Sequence, residues 1–148
     1  MADIRHRVGI SAPITDVYQA LRTPEGIAAW WTRDVSGDST VGGKFAVSFG
    51  QPTPSAVFEL AELDSPSRVV WRCIEGPSGW VGTSISFDLR TQDGETVVVF
   101  THAGWPKPVE FMHHCSTSWA YYLISLKHAL SGGRGTPWPE NERISTWG

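Results

Sequence analysis

Among the side chains of this 148-residue chain that could move a proton, those whose placement matters most are His102, Glu59, Glu62 and the adjacent pair His113-His114. His102 falls in the same alternation as Val98 and Phe100, so it faces the interior wherever they do, just before the Ala103-Gly104 turn. Two readings are open for it. It is a histidine satisfied at a sheet edge, or one that lines a pocket and serves as a general acid or base. Glu59 and Glu62 lie on opposite faces of one run, 56–63, so strict alternation turns one of them inward. An inward carboxylate needs a rim position or a donor such as Arg68 or Arg72 on the next run, because unpaired burial is costly and raises its pKa. The other reading makes it a proton carrier inside a cavity. His113 and His114 stand about 100° apart on a helix, so at most one looks squarely at a sheet, and His113 is the nearer to Ser116 and Ala120. No close His, Cys or Asp spacing supports a metal shared by His102 and His113, and no metal or other cofactor is expected. A Ser-His-Asp set, a phosphate loop and a dinucleotide fingerprint are all missing, so catalysis has no motif behind it.

The compositional oddity is eight tryptophans. Trp30, Trp31, Trp71, Trp80, Trp105 and Trp119 either fill a core or surround one space, and in the second case they favour flat or hydrophobic ligands.

The elements that must position these residues are legible. The stretch 108–130 has no internal Gly or Pro, follows Pro106 and Pro108, and stops before Gly132-Gly133, which marks both ends of a long helix. Met112, Cys115, Ser116, Trp119, Leu123, Leu126 and Leu130 form its buried stripe. Residues 4–10 alternate as a strand. Ile14–Arg22 is amphipathic after Ser11-Ala12-Pro13, and a second short helix, 24–31, ends in Trp30-Trp31, a pair of rings that can act as a lid. A polar, Gly-rich link, 34–43, precedes five strands joined by turns at 64–67, 76–79 and 92–94. The expected order is one strand, two helices, five strands and one helix: an α+β fold in which a six-stranded antiparallel sheet is covered by the long helix. Residues 134–148 carry no sustained period and read as an irregular tail after a domain spanning 1–133, with Trp138 as its anchor.

Length and a hydrophobic content of 41% suit one domain with a real core. The net charge of -3 is spread rather than blocked, so neither a nucleic-acid nor a membrane partner is expected. Two cysteines and a polar start point to the cytoplasm, and no run is long enough to span a membrane.

Six pieces in order carry a resemblance: ISAPITDVYQAL (10–21), AAWW (28–31), VGGKF (41–45), ELDSPSRVVW (62–71), ETVVVFTHAGW (95–105) and His114, Trp119, Leu123, Leu126 and Lys127 in the last helix. Together they resemble the START-like/SRPBCC superfamily, in its branch related to the ATPase activator of the ninety-kilodalton heat-shock chaperone. The likeness spans residues 3–132. Ser118 departs from it, standing where relatives usually have glycine. The resemblance implies a helix-grip fold, with a curved sheet wrapped around the C-terminal helix and a cavity between them. Its members are functionally mixed, and fold does not choose among them. The leading expectation is a protein that binds a small apolar or aromatic molecule, lined by Trp30, Trp31, Trp71, Phe87, Phe100, His102, Met112, His113, Ser116 and Trp119. The second is a chaperone-associated module, as a monomer or homodimer. The third is a cyclase or dehydratase using His102 with Glu59 or Glu62.

Overall fold

The computed structural model describes residues 1–51 and 54–148. The elements are β1 (Ala2–Ile10), α1 (Ile14–Arg22), α2 (Pro24–Ala28), β2 (Val35–Gly37), β3 (Lys44–Val47), β4 (Ala56–Asp64), β5 (Arg68–Glu75), β6 (Ser84–Gln92), β7 (Glu95–Trp105) and α3 (Glu110–Leu130). All neighbouring strands are antiparallel, in the order β1-β7-β6-β5-β4-β3-β2. The sheet therefore has seven strands, where the sequence predicts six. The extra one, β2, lies inside the expected polar link and pairs three residues, Val35, Ser36 and Gly37, with β3. It is too short to show an alternation.

Local chemistry explains the joints. The β6–β7 hairpin closes on Asp93-Gly94 alone, both at positive φ (52° and 81°), the geometry of a two-residue turn that matches strand twist. Thr23 caps α2 by accepting from Gly26 N at 3.0 Å, with Pro24 at the first helical position. The carbonyls left free at the end of α1 are taken up by neighbours: Gln19 O accepts from Thr23 Oγ1, Ala20 O from Trp30 Nε1 at 2.9 Å, and Leu21 O from Trp71 Nε1 at 3.0 Å. One indole thus fixes α1 to the end of α2 and the other fixes it to β5, while both rings fill the space beneath it.

That space is solid. Trp30, Trp71, Phe58, Phe87 and Phe100 are completely buried, and Trp71 alone packs within 6.3 Å, centroid to centroid, of five other rings: Trp30, Trp31, Phe45, Phe58 and Phe87. On α3 the inward residues are Met112, Cys115, Trp119, Tyr122, Leu123, Ser125 and Leu126.

Residues 134–148 hold no helix or strand but pack back on the body. Trp138 N donates to Trp31 O and Trp138 O accepts from Arg33 N (2.9 and 3.1 Å), a short parallel bridge. Thr136 N donates to Ser125 Oγ, and Tyr121 Oη accepts from Glu142 N. Gly50, at φ +84°, lies so close to the Trp138 ring that an added Cβ would meet it at 2.9 Å.

Candidate functional site

His102 is wholly buried and both ring nitrogens are engaged. Trp119 Nε1 donates to Nδ1 at 3.1 Å, which leaves the proton on Nε2, and Nε2 then donates to Thr83 Oγ1 at 2.9 Å. Thr83 in turn donates to Trp80 O at 2.5 Å. The chain of donors is complete and ends on a backbone carbonyl. The Trp80 and Trp105 rings approach the imidazole to 5.1 Å, and burial, partly offset by the Asp3 carboxylate, lowers its pKa to about 3. His102 is thus a neutral hydrogen-bonding centre that ties β7 to α3 and to the β5–β6 connection, with no nitrogen free for a ligand.

The expectation that Glu59 or Glu62 must point inward is overturned. The β4–β5 register shifts between Leu60 and Glu62, a bulge that places Ala61 and Glu62 on the outside in succession. Phe58 and Leu60 face in, Glu59 sits opposite Arg72 on the outer face, and Glu62 is bonded to Arg68 Nε at 3.2 Å. Arg68 also holds Asp88 at 2.6 Å, and that bond is the main cause of its raised pKa. Both pairs are well exposed, so Glu62→Gln is expected to lower stability by less than about 1 kcal/mol in urea unfolding. A loss several times larger would show a buried role that this geometry does not have.

The pocket lies at one end of the fold, where the first half of α3 meets three connections and the C-terminal segment. It is a cavity of about 410 Å³. Phe111, His114, Cys115, Ser118, Trp119 and Tyr122 of α3 form its floor, Trp31 and Phe49 one side, Trp80 another, and Trp138, Asn141, Trp147 and Gly148 the outer wall, with Gln51 and Ser55 at the edge. Trp80 and Trp119 are nearly parallel at 5.9 Å, and Trp31 meets Trp119 at 5.0 Å. Among the described residues, no Lys, Arg, Asp or Glu lines it. Burial pushes the Cys115 thiol up to about 11, the Trp80 N–H opposing this only weakly, and the Tyr122 hydroxyl up to about 12, while it lowers His114. The lining side chains are therefore uncharged near neutral pH.

Of the residues expected to surround a ligand, Trp31 and Trp119 stand on the cavity wall. Trp30, Trp71, Phe87, Phe100 and Met112 are buried in the core behind it. Ser116 turns to β1, where its carbonyl and hydroxyl meet His6 Nε2 at 3.1 and 3.2 Å. His113 faces outward, into a shallow groove beside Ser145. Among the described residues no three His, Cys, Asp or Glu side chains come close enough to hold a metal ion. Sequence reasoning missed most of the wall. The spacing Phe111, His114/Cys115, Ser118/Trp119, Tyr122 is a second helical stripe lying one residue round from the core-facing one, and it was the available signal. The departure at Ser118 falls on this stripe. The tail residues left no periodic signal at all.

A family model described as Activator of Hsp90 ATPase homolog 1-like protein matches residues 11–131. No curated protein matches the chain. Among solved structures, the Aha1 dimer from Colwellia psychrerythraea is 41% identical, covering 91% of this chain and 100% of that one, with a TM-score of 0.83. CalU16 from Micromonospora echinospora (24% identity, 97% and 75% covered, TM-score 0.74) and an AHSA1-like protein from Rhizobium etli (23%, 96% and 89%, 0.70) share the fold.

Proposed function

The chain belongs to the family of Activator of Hsp90 ATPase homolog 1-like proteins, and from that premise we propose that it binds a small hydrophobic or aromatic molecule. The observation that carries this reading is the cavity of about 410 Å³ under the C-terminal segment, lined by uncharged side chains, a size that suits burial of most of a small ligand. Binding requires only apolar walls and a few polar edges, and Gln51, Ser55, Ser118 and Asn141 supply those edges. Proton transfer has less support, because His102 spends both nitrogens within the protein and Glu59 and Glu62 face outward. No helix among the described residues is long and apolar enough to cross a membrane, and a cytoplasmic location fits this reading.

The test is a screen of small apolar compounds by tryptophan fluorescence, followed by Ser118→Phe. That ring enters the cavity from a half-buried position on α3. It is expected to weaken a hit by about tenfold or more while the melting temperature stays within about 3 °C. Unchanged affinity in a folded variant would remove the cavity from the account.

A second reading, a chaperone-associated module acting as a homodimer, is favoured by the 41% identity to a protein described as the Aha1 dimer. It predicts a dimer in solution and a changed ATPase rate when the protein is added to a ninety-kilodalton chaperone. A monomer without effect on that rate would end it.

A further inference from the structure

The C-terminal segment divides into two parts that are held very differently. Residues 134–142 are fastened by main-chain bonds through Trp138, by Thr136 and Glu142 to α3 side chains, and by the Arg33–Glu140 ion pair. Residues 143–148 bond chiefly to themselves: Ile144 N to Gly148 O, Gly148 N to Ser145 O, and Arg143 Nε to Ser145 O. Their hydrogen bond to the body is the one between Ser145 Oγ and His114 Nδ1, at 2.6 Å. The other attachment is aromatic. Trp147 meets Phe111 at 5.7 Å and His114 at 5.8 Å, both edge to face, yet it remains 52% exposed. A large indole held at a cavity mouth, with half its surface in water and one polar tether, stands in a segment of low local stability. It gains the contact it lacks when something flat fills the space below it.

Resting on the cavity-binding reading above, we infer that residues 143–148 are the specificity-determining wall of the cavity, and that Trp147 selects a flat, uncharged fused-ring molecule over a saturated one of the same skeleton. The opposing surfaces are also rings, Trp31, Trp80 and Trp119, with Trp80 and Trp119 nearly parallel at 20°. A flat ligand gains offset or edge-to-face contacts with them in addition to area burial, whereas a puckered one gains area alone. An anion meets no cation on the walls and loses its hydration without return. This wall lies beyond the residues 11–131 matched by the family model.

The experiment is isothermal titration calorimetry of three probes, 1-naphthol, decahydro-1-naphthol and 1-naphthoate, on the full chain, on Trp147→Ala, on Trp147→Phe and on a chain ending at Glu142. The full chain is expected to bind 1-naphthol about fivefold or more tighter than the other two. Trp147→Ala and the shortened chain are expected to weaken 1-naphthol by about threefold to tenfold while leaving decahydro-1-naphthol within about twofold, and Trp147→Phe to keep most of the affinity. If the saturated probe binds as tightly as the flat one, or Trp147→Ala leaves 1-naphthol unchanged, the inference is overturned while cavity binding stands. If none of the three binds the full chain, the cavity reading falls and takes the inference with it.

Discussion

Trp71→Ala is expected to cost about 4–6 kcal/mol of unfolding free energy, enough to leave the chain largely unfolded if its stability is at the low end of the usual 5–15 kcal/mol. The ring is completely buried among Trp30, Trp31, Phe45, Phe58 and Phe87. Removing it opens a void that stiff aromatic neighbours cannot collapse into, which alone is worth about 3–5 kcal/mol. Its Nε1 also serves Leu21 O at the end of α1, and a buried carbonyl left without a donor adds about 1 kcal/mol or more. Trp71→Phe separates the two contributions, since it keeps an aromatic ring but loses the donor. Urea unfolding should rank wild type, Trp71→Phe and Trp71→Ala in that order of stability. A loss below about 2 kcal/mol for alanine would mean that the interior is loose there.

The second large effect is acid destabilisation through His102. Its pKa is lowered to about 3 in the folded protein from an ordinary 6.5. Between those values the unfolded chain binds a proton that the folded chain does not, so stability is full above pH 6.5 and declines as pH falls towards 3. The slope approaches about 1.4 kcal/mol per pH unit, and by pH 4.5 the loss from this residue alone is roughly 2.5 kcal/mol. His102→Gln is the informative control. Its amide can accept from Trp119 Nε1 and donate to Thr83 Oγ1 as the neutral imidazole does, but it does not titrate. Unfolding free energies at pH 7.5 and 4.5 should therefore differ by roughly 2.5 kcal/mol less in His102→Gln than in wild type. Equal differences in the two proteins would mean that water or a mobile contact reaches the imidazole.

The architecture was legible wherever one face of an element is buried and the other wet. β1 shows this with Ile4, Val8 and Ile10 inside, and α3 shows it with ends marked by proline and glycine. β2 escaped because three residues carry no period, and it exists only because β3 offers a free edge. Glu62 escapes the inward position for a definite physical cause: alternation is a rule of unbroken strands, and the bulge before Glu62 resets it. His102 was placed correctly on the inward face, but whether it faces a ligand depended on partners far away in the chain, Thr83 and Trp119. The cavity wall was the least readable part. Trp138 is the expected anchor of the tail, but it is held by main-chain bonds to Trp31 and Arg33, and such bonds leave no mark on residue types to say where it docks. The Trp147 contacts to Phe111 and His114 join an aperiodic tail to the side of the helix next to its core-facing stripe.

The central claim is that a small apolar molecule sits between α3, Trp31, Trp80 and the C-terminal segment. Two-dimensional NMR of the isotope-labelled protein, titrated with 1-naphthol, tests it most directly. The account predicts saturable shifts at the amides of Trp31, Cys115, Ser118, Trp119 and Tyr122 and at the Trp147 indole, with Arg5, Arg7 and Arg72 on the outer face of the sheet unmoved. Shifts confined to that outer face, or none at any residue lining the cavity up to about millimolar ligand, would contradict it.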